Sequence, residues 1–179
     1  MDEITRLIET YRSRGTAPEQ SKLDALMDLE RLRDPRIVPF LLGVLADPRE
    51  LTPVRIHILK RLRNGNLVPA DRLAVAWTIL RVLSDRSNSD LRVHAAVALA
   101  EFTDIGGVPT LLGSLALDSD EAIDLRFSSF TSLQRAGPTS ECVALLRQLL
   151  TDEALGRSAR SVLSLWHVER GQDHGGPSC

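Results

Sequence analysis

The chain has 179 residues, 43% of them hydrophobic and only 4% aromatic, with a formal net charge of −2. That length and apolar share suit one domain whose continuous core is filled by Leu, Ala, Val and Ile, and the overall acidity offers no wide positive surface for polyanions. Two cysteines are too few for a disulfide framework, no apolar run approaches the ~18 residues of a membrane span, and the acidic start Met1-Asp2-Glu3-Ile4 is unlike a secretory signal, so a cytoplasmic protein is expected.

In chain order, the first helical pair is predicted from about Asp2 to Arg14 and from Pro18 to Arg33, with Gly15 suited to close the first helix and Pro18 to open the second. The second pair runs from about Pro35 to Ala46 and Thr52 to Arg63, punctuated by Asp34-Pro35, Asp47-Pro48 and Asn64-Gly65. Pro69 to Ser84 and Asp90 to Phe102 form the third, joined by the polar Asp85-Arg86-Ser87-Asn88-Ser89, the likeliest flexible point. The fourth spans Val108 to Leu117 and Glu121 to Ala136, and the fifth Thr139 to Leu150 and Glu153 to Val168. From Gly171 the chain has nothing apolar to bury, so 1–170 reads as one domain and 171–179 as a mobile tail. No stretch shows the two-residue alternation of a half-buried strand.

The second helices close on the same phrase. Leu29, Leu62, Leu99, Leu133 and Leu163 recur at intervals of 33, 37, 34 and 30 residues. Such periods mark stacked helix pairs, because one pair cannot shelter its own apolar face. Moreover, Val38-Pro39-Phe40-Leu41-Leu42-Gly43 and Val108-Pro109-Thr110-Leu111-Leu112-Gly113 are near copies. The segment Leu91-Arg92-Val93-His94-Ala95-Ala96-Val97-Ala98-Leu99-Ala100-Glu101-Phe102 resembles the second helix of a HEAT repeat, with Val54-Arg55, Leu125-Arg126 and, more loosely, Ser21-Lys22 opening the matching helices. The short repeats are similar to a bacterial subgroup named after phycobilisome lyases, and 20 Arg against 2 Lys suits a GC-rich bacterial genome.

This resemblance implies an all-α, right-handed superhelix of about five helix pairs. It also implies a ladder in which a turn Asp pairs with the second-helix Arg: Asp47 with Arg55, Asp85 with Arg92, Asp118 with Arg126. In the last pair Gly156 stands in the Arg position, which suits a cap. Second helices of the family line a concave wall, where the register places Asp24-Met27-Arg31, His57-Lys60-Asn64, His94-Val97-Glu101, Ser128-Thr131-Arg135 and Ser158-Ser161-Leu165. That wall reads as polar, without a large apolar groove.

Charge is uneven along the chain. Between Arg31 and Arg63 there are eight bases and three acids, whereas Glu101 to Asp124 holds six acids and no base. A bipolar molecule of this kind can orient an incoming partner.

The candidates for chemistry are sparse. His57 and His94 share a register and Asp90 lies one turn before His94, but zinc needs a compact ligand cluster, so an exposed contact pair is expected and no metal. Cys142 sits among apolar neighbours and reads as core; so do Trp77 and Trp166, although Trp166 near the cap would also suit a partner anchor. No phosphate loop, Cys-x-x-Cys or catalytic serine motif is present, so no catalytic residue and no cofactor are expected.

The expected function is therefore a non-catalytic adaptor, monomeric, holding a protein partner on the concave face through Arg31, His57, Lys60, Asn64, His94, Glu101, Thr131 and Arg135. Two alternatives stand beside it: nucleic-acid binding through the basic Arg31–Arg63 stretch, and a lyase-like accessory enzyme, the latter implied only by the resemblance.

Overall fold

The protein is described by a computed structural model covering residues 2–13, 15, 17–64 and 67–167, with only the backbone at Asn64. The expected tail at 171–179 lies outside these residues. Among them the chain forms ten α-helices and three 3-10 turns, and no strand. The helices are α1 (Glu3–Ser13), α2 (Glu19–Glu30), α3 (Ile37–Ala46), α4 (Thr52–Asn64), α5 (Pro69–Ser84), α6 (Ser89–Ala98), α7 (Val108–Leu117), α8 (Ile123–Leu133), α9 (Ser140–Gln148) and α10 (Gly156–Leu165). Helices α6, α8 and α9 each tighten into a 3-10 turn, over Leu99–Phe102, Gln134–Ala136 and Leu149–Thr151.

Packing is pairwise and sequential. Each odd-numbered helix packs on the even one that follows it. The second helices also lie side by side in the order α2, α4, α6, α8, while α3 packs on α5 and α7 on α9. A single run of buried side chains, from Ile4 to Leu163, passes through all the pairs and includes Leu62, Leu99, Leu133 and Leu163 of the recurrent leucines; Leu29 is fully buried as well. Five turns share one local device: Asp34, Asp47, Asp85, Asp118 and Asp152 each accept the backbone N–H two residues on, from Arg36, Arg49, Ser87, Asp120 and Ala154, at 2.9–3.0 Å. A short carboxylate reaches that amide without moving the backbone, so the turn is fixed within its own residues.

The ladder exists, but its rungs differ from the expected ones. Arg55, Arg92 and Arg126 are buried, and each donates through Nε to a carbonyl in the last turn of the first helix of its own pair: Leu45 at 2.9 Å, Leu83 at 2.9 Å and Ala116 at 3.0 Å. Those carbonyls have no partner within their helices. In Arg92 and Arg126 the rest of the guanidinium reaches forward into the next pair. Arg92 grips both oxygens of Glu121 at 2.7 Å, and Arg126 pairs with Asp152. Lys22 takes the same place in the first pair and binds Glu50 at 2.7 Å, with the Tyr11 hydroxyl donating to the other Glu50 oxygen at 2.8 Å. The turn aspartates Asp47, Asp85 and Asp118 thus each hold their own turn, and the ion-pair partners of Lys22, Arg92 and Arg126 are acids of the following pair. Asn88 stands where Glu50 and Glu121 stand in their turns; it caps α6 through Leu91 N–H and donates to Thr52 Oγ1 at 2.7 Å.

The near copies α3 and α7 present different faces. Pro109 and Gly113 are buried, and a Cβ on Gly113 would meet Leu145 of α9 at 2.6 Å. Pro39 and Gly43 are exposed, with open space over Gly43. At the last pair Gly156 does more than fill a vacant Arg position. Its backbone lies so close to the preceding 3-10 turn that a Cβ would stand 2.7 Å from the Leu150 carbonyl oxygen.

Candidate functional site

Helices α4, α6 and α8 place their N-terminal ends together and their C-terminal ends together, and two adjoining hollows run along the face they share. At the N-terminal end Ile56, Asp90, Val93, His94 and Asp124 surround a hollow of about 450 Å³. At the C-terminal end Arg63, Val97, Glu101, Thr131 and Arg135 surround one of about 300 Å³. Phe127 and Ser128 line both. Phe127 is 42% exposed, a large apolar ring left in water one turn after Ile123, which is exposed on the same helix.

The furrow gathers some of the residues expected on this face and leaves others elsewhere. Glu101, Thr131 and Arg135 stand together, with Arg135 donating to Glu101 at 2.9 Å. His94 lines the neighbouring hollow beside Asp90. Lys60 is exposed on α4 and near enough to act electrostatically on His94. His57, by contrast, turns to Glu30, 3.0 Å from its Nε2, and Arg31 pairs with Asp28 at 3.5 Å and borders a separate cavity between the α2–α3 and α4–α5 connections. The side chain of Asn64 lies outside the described residues.

The reading of a wall without an apolar groove is corrected by Phe127, Val97, Val93 and Ile56. The i, i+3, i+7 register fell on Ser128, Thr131 and Arg135 and passed over their neighbour. The signal was available as a large apolar residue one position from a polar stripe on a helix whose core positions were already filled.

No family model, curated protein or solved structure matches the chain.

Burial and the Lys60 charge hold the His94 pKa below its usual value, against a smaller upward pull from Asp90. The imidazole is neutral at pH 7. Among the described residues no group of three or more His, Cys, Asp or Glu side chains is arranged to hold a metal ion. Cys142 is fully buried and its thiol is pushed up by that burial, which suits packing and not nucleophilic attack.

The charge segregation seen along the sequence is largely offset in three dimensions. Arg36 pairs with Asp2 and Asp34, Arg49 with Asp47, Arg61 with Glu30, and Arg55 is buried. On the acidic side Asp104 takes Arg72, and Glu121 takes Arg92 and Arg86. Trp77 is the other correction: it is 55% exposed on α5, together with Leu73 and Val68, instead of lying in the core. Trp166 is half-buried and packs against the core.

These ion pairs set a pH dependence. The Arg92 hydrogen bonds hold the Glu121 carboxyl below its usual range, the Arg49 guanidinium does so for Asp47, and the Leu155 amide does so for Asp152. A carboxylate with a depressed folded value adds stability above its unfolded value and loses it as pH falls through the folded one. A depressed histidine acts in the same direction, because the unfolded chain takes up its proton first. The urea midpoint is therefore expected to be level from about pH 8 to 7, to dip below about 6.5 and to drop steeply below about 4. A midpoint at pH 3 equal to that at pH 7 would contradict this.

Proposed function

We propose that the chain is a non-catalytic protein-interaction module of the HEAT-repeat type, its helix pairs stacked into a right-handed superhelix, which works in the cytoplasm and holds a protein partner along the face of its second helices. The observation that carries this reading is Phe127, a half-exposed aromatic ring standing between two hollows whose rims are charged. Apolar centre and polar rim is the anatomy of protein interfaces. The side-by-side order of α2, α4, α6 and α8 and the forward-reaching ladder supply the rigid support such a face needs. Nucleic-acid binding draws less support, because four of the eight bases of the Arg31–Arg63 stretch, Arg31, Arg36, Arg49 and Arg61, pair with acids of the chain itself and Arg55 is buried.

Affinity capture from the native host tests the proposal, using wild type, Phe127→Glu and Trp77→Glu side by side. A partner recovered with wild type and Trp77→Glu should fall by about 30-fold with Phe127→Glu, the effect of losing one interface hot spot. Equal recovery with wild type and Phe127→Glu would refute it, and loss confined to Trp77→Glu would move the docking face to α5.

A further inference from the structure

The furrow is electrically graded along its length. Asp90 and Asp124 border its hollow at the N-terminal ends of α6 and α8, whereas Arg63 and Arg135 border the other at the C-terminal ends of α4 and α8. Acids in first turns and bases in last turns each suit their own helix dipole. Here they also converge, from neighbouring helices, on the two ends of one channel with an apolar middle. Neutral His94 adds no charge to the acidic end, although Lys60 stands near it, and Glu101 cancels part of the basic end without removing Arg63.

Eleven residues separate Asp124 from Arg135, about 16 Å along a helix, which an extended chain spans in about five residues. Each hollow, at about 300 and 450 Å³, has room for an aliphatic side chain. We propose that the furrow takes a short extended polypeptide segment with an apolar side chain at its centre, basic groups at the end over Asp90 and Asp124, and acidic groups at the end over Arg63 and Arg135. The inference rests on the furrow being the docking face and adds the charge order of the segment that fits it. A carboxylate of the segment shares Arg135 with Glu101 and takes Arg63 directly. An ammonium or guanidinium group sits between the two aspartates, in a hollow whose lining holds no lysine or arginine.

The test uses the full chain and four fluorescein-labelled synthetic heptapeptides with a central Leu: Lys on one side and Glu on the other, Lys on both sides, Glu on both sides, and Ser on both sides. Anisotropy titrations at low salt should show the mixed-charge peptide binding about tenfold tighter than either like-charged one, the combined effect of rim ion pairs at both ends. Arg135→Glu should shift the preference towards Lys on both sides, and Asp124→Lys towards Glu on both sides. Both side chains are exposed, and thermal melts of the two variants would show whether they fold as wild type does. Equal affinities across the four peptides, saturation by none of them, or a preference unmoved by both substitutions would overturn the proposal. A flat peptide result alongside a captured partner that still depends on Phe127 would overturn the charge order alone.

Discussion

Glu121→Ala is expected to lower the stability of the protein by about 3 kcal/mol, the lower end of the range for stripping a buried ion pair of one partner. The Arg92 side chain is 9% exposed and Glu121 7%, and the two are joined by a pair of parallel 2.7 Å hydrogen bonds. Removing the carboxylate leaves a guanidinium that was desolvated on the understanding of a countercharge. Its Nε bond to the Leu83 carbonyl survives, and Asp118 and Asp85 still act on it through space, which keeps the loss from reaching the upper end. Because this rung joins the third helix pair to the fourth, the loss weakens the interface between pairs and not one helix. Urea unfolding followed by circular dichroism measures the effect. Glu121→Gln, which keeps an acceptor but no charge, should cost less than alanine, and a loss below about 1 kcal/mol for alanine would place the pair with ordinary surface salt bridges.

Phe102→Ala should cost more, about 3–5 kcal/mol, because it deletes a fully buried aromatic side chain and leaves a cavity that its neighbours fill only in part. Phe102 has 0% exposure and ends the 3-10 turn that closes α6. Arg72 of α5 lies over its ring, 5.1 Å from the centroid, and is held there by Asp104 at 2.6 Å and the Glu101 carbonyl at 3.1 Å. The substitution therefore removes a cation–π contact as well as core volume. Phe127→Ala offers the contrast within the same protein. With its ring half in water, it should change stability by no more than about 0.5 kcal/mol. A denaturation midpoint for Phe102→Ala close to that of wild type would show that the turn between α6 and α7 is not part of the cooperative core.

The two phenylalanines show where the sequence was legible. Phe102 follows Leu91, Ala95, Ala98 and Leu99 at helical spacing, so its burial could be read from the pattern alone. Phe127 and Trp77 sit on helices with apolar residues on more than one side, and periodicity does not say which side will find a neighbour. Trp77 has Val75, Ala76, Ile79 and Leu80 around it, all buried, and those four satisfy the packing of α5 without it.

The chain by itself determined the ten helices to within a few residues, the aspartate turns between and within pairs, and the leucines that fill the core. Those features depend on contacts two to four residues apart and on the burial of one stripe per helix. Only the tertiary structure decided how far each helix is rotated about its own axis, which is why the near-identical α3 and α7 expose Gly43 and bury Gly113. It also decided that Arg92 reaches Glu121, 29 residues on, past the nearer Asp85. A guanidinium is long enough to reach either its own turn or the next pair, and the choice between them is made by the distance at which the pairs stack.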